Sequence, residues 1–71
     1  MSRVVAIGNA VELAGYALVG VEVVDARSPE LARRAWAHAT DDASLVLLTA
    51  DARAALAPRL ADGVLWAVLP A

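Results

Sequence analysis

Four apolar runs divide the chain, at residues 4–7, 21–24, 45–48 and 64–69, and three stretches with helical spacing lie between them. Runs of Val, Ile and Leu without polar alternation read as strands buried on both faces, as in a parallel sheet covered by helical crossovers. The pattern predicts an α/β chain, β-α-β-α-β-α-β, forming a single domain over residues 1–71. The first strand, residues 3–7, stops at Gly8-Asn9, where glycine permits a sharp turn and the Asn9 side chain can cap a helix. A helix is predicted over 10–19, packed through Val11, Ala14, Gly15 and Leu18, with Gly15 allowing close approach to the sheet and Gly20 ending it. Ser28-Pro29-Glu30 is the clearest helix start: a capping serine, a proline at the first helical position and an acid in the first turn. The second helix should span 29–40, with Leu31, Ala32, Ala35, Trp36 and Ala39 facing the sheet and Arg33, Arg34, Ala37 and His38 opposite. Asp41-Asp42 reads as the turn into a strand at 44–48. Thr49 and Asp51 are competent caps for a third helix reaching about residue 60, with Pro58 distorting its last turn. Asp62-Gly63 turns into the fourth strand, which Pro70 ends.

Right-handed crossovers leave few ways to wind such a unit, and strand order 2-1-3-4 is the expected one. It is a three-layer arrangement of the flavodoxin or Rossmann kind. The first helix then covers one face of the sheet, and the second and third cover the other. Strands three and four are left half bare on the side of the first helix, although both are apolar on both faces. Leu45 and Leu47 alternate with Val46 and Leu48, and Val64, Trp66 and Val68 alternate with Leu65, Ala67 and Leu69. At about 25 cal/mol per Å² of apolar area, leaving such a face in water forfeits several kcal/mol, a large share of a small domain's stability. Something beyond the packed unit is expected to cover it: a C-terminal helix, a second copy or a different subunit. Leu47, Leu65, Trp66 and Leu69 are the candidate interface residues, Trp66 because tryptophan dominates binding hot spots.

Composition narrows the chemistry. Apolar residues make up 61 % of the 71 positions, but many are alanine, Phe is absent, and Tyr16, Trp36 and Trp66 are the only aromatics. The core should be thin and near the lower limit for self-sufficiency. No cysteine is present, which excludes disulfides and thiolate chemistry and fits a reducing compartment. A net charge of −2 without any lysine lacks the basic footprint of a nucleic-acid binder. No stretch approaches the ~20 apolar residues of a membrane span, and no secretory leader opens the chain, so a soluble intracellular protein is expected. Gly8 stands alone rather than in Gly-x-Gly-x-x-Gly, and no phosphate-loop lysine exists. Asn9 and Thr49 stand where a phospho-receiver needs acids, and His38 has no convergent donors that would make it a metal ligand. No catalytic, cofactor-binding or metal residue is expected, and the chain is not expected to be an enzyme.

Taken in order, these elements resemble the small central-stalk component of the V-type and archaeal-type rotary ATPases, their F subunit. That family opens with a strand and a Gly-acid turn, then a helix that runs through Gly-aromatic and Leu-Ala-Gly-Val steps into strand two. Gly8-Asn9 and the run Leu13-Ala14-Gly15-Tyr16-Ala17-Leu18-Val19-Gly20-Val21 correspond here, with Asn9 standing in place of the acid. The family's Asp-Pro-Glu helix start corresponds to Ser28-Pro29-Glu30-Leu31-Ala32, its third strand to the run ending at Thr49, and its last to Val68-Leu69-Pro70. The similarity spans the whole chain, but the family's C-terminal helical segment has no counterpart after Ala71, so a short or truncated member is implied. The resemblance implies a cytoplasmic, non-catalytic rotor subunit on the central stalk. It would bind the long helical stalk subunit and help couple ATP hydrolysis or synthesis to proton or sodium transport. Asn9 joins the candidate contacts on this ground. No cofactor, nucleic acid or direct membrane insertion is implied, and self-association in isolation is a further expectation. The alternative is a stand-alone flavodoxin-like domain that binds a small ligand, or its own copy, around Gly8, Asn9, Thr49 and Pro70.

Overall fold

A computed structural model describes residues 3–39, 41, 43–57 and 65–70. The elements are β1 (Val4–Gly8), α1 (Ala10–Ala17), β2 (Glu22–Asp25), α2 (Pro29–Ala39), β3 (Leu45–Leu48), α3 (Ala50–Leu56) and β4 (Trp66–Val68). The four strands form one parallel sheet in the expected order β2-β1-β3-β4. The ladder runs past the strand ends: Ser44 N–H donates to Arg3 C=O at 2.8 Å, and Leu69 N–H donates to Leu48 C=O at 2.8 Å. At the starts of β1 and β2, the Arg3 guanidinium holds the Glu22 carboxylate through Nη2 at 2.6 Å and Nε at 3.2 Å, a bidentate clamp on the register. Among the described residues, no helix is long and apolar enough to cross a membrane.

Each helix begins where the sequence supplies a cap. Asn9 Oδ1 accepts from Val11 N–H, Ser28 Oγ from Leu31 N–H, and Thr49 Oγ1 from Ala52 N–H. Asp51, the other candidate cap, lies inside the first turn of α3. Gly20, at φ +92°, closes α1, with Gly20 N–H bonded to Ala17 C=O and Val21 N–H to Tyr16 C=O, the bond pair of a Schellman motif. The helix end predicted near residue 60, the Pro58 distortion, the Asp62-Gly63 turn, and Thr40, Asp42 and Val64 lie outside the described residues.

Two layers form on the two faces of the sheet. Pairing places Val5, Val46 and Trp66 in one row and Ile7, Leu48 and Val68 in the next. These rows face α2 and α3, where Val5, Ile7, Val46 and Leu48 join Ala32, Ala35, Trp36, Ala39, Ala52 and Leu56 in the main core. Leu31, expected in that stripe, is exposed at the edge of the helix. On the opposite face, Leu13 of α1 and Ala6 beneath that helix are buried.

Helix α1 packs through a face other than the predicted one. Its buried residue is Leu13, flanked by half-buried Ala10 and Tyr16, while Val11, Ala14, Gly15 and Leu18 face outward. The helix is apolar nearly all round, so two stripes compete for the sheet, and the Asn9 cap together with the short β1–α1 turn decides the phase. Gly15 therefore mediates no close approach: a Cβ built there meets nothing within 4 Å. Gly8 is the glycine that does, since a Cβ there would overlap the Thr49 side chain.

The two glycines should respond oppositely to alanine. Gly15→Ala is expected to raise stability by about 0.5–1 kcal/mol through helix propensity, and Gly8→Ala to lower it by about 2 kcal/mol through overpacking. Urea unfolding of both variants checks this, and a destabilised Gly15→Ala would place a close neighbour against α1.

Candidate functional site

Among the described residues, the face of the sheet that carries α1 is covered over only part of its width. α1 lies over β2 and β1. Among the described residues, no helix continues that layer over β3 and β4. Pleat alternation directs Leu45 and Leu47 of β3, and Leu65, Ala67 and Leu69 in and around β4, to this side. Leu45, Leu47 and Leu69 are half-buried, Ala67 is exposed, and Leu65 is 69 % exposed. Beside this strip, α1 turns Val11 (73 % exposed) and Leu18 (88 % exposed) to solvent, with Val19 following in the turn. Glu12 is the one charged residue in α1. A helix that is apolar on every side is normally buried on every side, and this one is buried on one side only.

Between α1 and the C-terminal ends of β3 and β4 lies a groove of about 550 Å³. Leu13, Tyr16, Leu69 and Pro70 supply its apolar wall, and Glu12 and Asp51 its carboxylates. Thr49 lines it too, but its hydroxyl is already occupied in capping α3.

The strand C-termini at β1 and β3 form the switch point where α/β sheets commonly bind ligands. Here the helix starts are closed by the chain's own groups. Ala10 N–H donates to Asp25 Oδ1 at 3.0 Å, Val11 N–H to Asn9 Oδ1 at 2.9 Å, and Glu12 and Leu13 N–H to Asn9 C=O. The Asp25 carboxylate thus stands at the start of α1, where a bound phosphate would otherwise sit. The Ala10 N–H bond holds the Asp25 carboxyl below its usual range; slight desolvation opposes this, and the Arg27 Nε bond at 3.2 Å adds to it. The hydrogen bond from Arg3 likewise lowers Glu22, again against slight desolvation.

The candidate contact residues do not share one face. Leu47, Leu65 and Leu69 lie on the α1 side, whereas Trp66, in the row of Val5 and Val46, packs half-buried against the main core. Asn9 is half-buried and spends its side-chain oxygen on the α1 cap. Of the alternative ligand set, Gly8 and Thr49 are buried against each other, and Pro70 is exposed at the groove. The residues missed in the sequence are Glu12, Tyr16 and Asp51. Their signal is an almost wholly apolar first helix, with a single acid that points to the same end of the sheet as the α3 acid. Among the described residues, no group of three or more His, Cys, Asp or Glu could hold a metal ion.

Asp25 is lowered in the folded state, so its contribution is fully present above its unfolded value of 3.8 and is lost as pH falls through the folded value. Asp25→Ala should be less stable than wild type near neutral pH. It should also lose less stability than wild type between roughly pH 7 and pH 3, in thermal melts at both. An equal acid loss in both proteins would detach Asp25 from the start of α1.

Compared with protein-family models, with curated proteins and with solved structures, the chain matches none.

Proposed function

We propose that the chain is a non-catalytic rotor subunit of the central stalk of a V-type proton- or sodium-translocating ATPase or ATP synthase. In this reading it sits on the cytoplasmic side, docks against the long helical stalk subunit, and helps couple ATP hydrolysis or synthesis to ion transport. The observation that carries it is the α1 side, where Val11, Leu18, Leu65 and Ala67 stand in solvent beside half-covered Leu45 and Leu47. A domain of this size has little stability in reserve, and an apolar surface this continuous is what a permanent partner covers. The motif order from Gly8-Asn9 through Ser28-Pro29-Glu30 to Leu69-Pro70 carries the resemblance to that family, and the kind of partner proposed follows from the resemblance. The groove at the strand ends favours a second reading, a small-ligand domain. The carboxylate at the start of α1 weighs against anionic ligands there.

Co-expression with the long helical stalk subunit encoded beside the catalytic head subunits should give a co-purifying pair, and a ligand domain should not. In that assay, Ala67→Glu and Leu65→Asp place a charge on the exposed strip without entering the core. They should weaken capture by about tenfold or more, because an uncompensated charge against an apolar partner costs several kcal/mol. Arg34→Ala and His38→Ala, on exposed positions of α2 across the sheet, should change it by roughly threefold at most. Capture unaffected by both strip variants would move the interface elsewhere, and no capture at all would refute the reading. The isolated chain should hydrolyse no ATP; turnover that follows the protein through further purification would contradict this.

A further inference from the structure

The groove at the C-terminal ends of β3 and β4 carries charge of one sign among the described residues. It places two carboxylates, Glu12 from α1 and Asp51 from the first turn of α3, beside Leu13, Leu69 and Pro70, and among the described residues no arginine lines it. Among the described residues, neither acid has a side-chain hydrogen bond or ion pair. Arg3 and Arg27 are engaged elsewhere, on Glu22 and Asp25, and Arg53 of α3 stands outside the groove. The exposed bases Arg34 and His38 stand on α2, across the sheet.

From this arrangement we infer that the groove takes a helix carrying an apolar stripe and one or two basic residues, with the basic residues lying at the C-terminal edge of the sheet against Glu12 and Asp51. The apolar stripe covers the strip formed by Leu47, Ala67 and Leu69, and the charges fix which way the helix runs. An apolar strip alone binds a helix in either direction. Opposite charges placed at one end select a single register and speed encounter, the usual contribution of electrostatics at interfaces. This rests on the reading that the α1 side is a docking face, and it adds the chemistry and polarity of what docks.

Two synthetic helical peptides test it. They share one leucine stripe and differ only in carrying two arginines or two glutamates at one end. Titrated into isotope-labelled protein, the arginine peptide should shift the amide resonances of Leu13, Tyr16, Ala50 and Leu69. It should bind roughly threefold to tenfold more tightly than the glutamate peptide at low salt, with the gap closing at high salt. The double variant Glu12→Gln, Asp51→Asn, which alters two exposed side chains, should bind both peptides equally. Equal binding of both peptides to wild type would overturn the charge selection and leave docking intact. A preference for the glutamate peptide, or shifts confined to α2, would overturn the inference. Binding of neither peptide would overturn it together with the groove as a helix site, while co-purification still judges the docking reading separately. Shifts at the same amides on raising protein concentration alone would name a second copy as the occupant and refute a basic partner.

Discussion

The half-covered face of the sheet follows from one constraint, the handedness of its crossovers. Right-handed β-α-β connections in the order β2-β1-β3-β4 put α1 on one face and α2 with α3 on the other. Two helices can roof the central strands on their side, and there Val5, Ile7, Val46 and Leu48 disappear from solvent. One eight-residue helix cannot roof four strands, and α1 shelters only the β1–β2 half. The uncovered strip is thus a consequence of topology rather than of any single residue. What is specific to this sequence is that the strip stayed apolar.

The strand pattern, the order of elements and the helix starts were all legible, because each rests on local chemistry. Continuous Val and Leu runs signal strands buried on both faces, and Asn9, Ser28 and Thr49 each cap the helix they precede. Facing was legible only where one stripe was clearly more apolar than its rivals. Helix α2 carries Arg33 and Arg34 on its outer side, and its inner residues Ala32, Ala35, Trp36 and Ala39 are buried as expected. Helix α1 offers no such contrast. Its two stripes are alike in character, and the choice between them falls to the Gly8-Asn9 turn, whose geometry no periodicity records. The side of β4 on which Trp66 falls was hidden for the same reason: strand parity separates two sets but does not name the one that meets the helices.

The contacts at the helix starts also bear on function. Among α/β folds, the strand-to-helix turn nearest the switch point is the usual place to hold a phosphate, because the free N–H groups of a helix start attract anions. Here Asp25 reaches across from β2 to accept from Ala10, and Asn9 accepts from three further N–H groups through its side chain and its carbonyl. A carboxylate built into that position is bound at no cost in translational freedom, and an incoming phosphate would have to displace it against like charge. The same residues that order α1 therefore turn the usual ligand corner into a structural joint.

The two sheet edges differ in the same sense. β2 borders solvent with Glu22 and Asp25, each paired to an arginine, and charge of this kind discourages another strand from adding on. At the other edge, residues 65–70 read Leu-Trp-Ala-Val-Leu-Pro without an ionisable group. Trp66 anchors that segment to the core from one side, so the opposite side, with Leu65, Ala67 and Leu69, is presented on a fixed support. An apolar edge strand with no protective charge is hazardous for a protein that must remain alone. It is tolerable if the surface spends its life covered, and the contrast between the edges is what an interface confined to the α1 and β4 side would leave in the sequence.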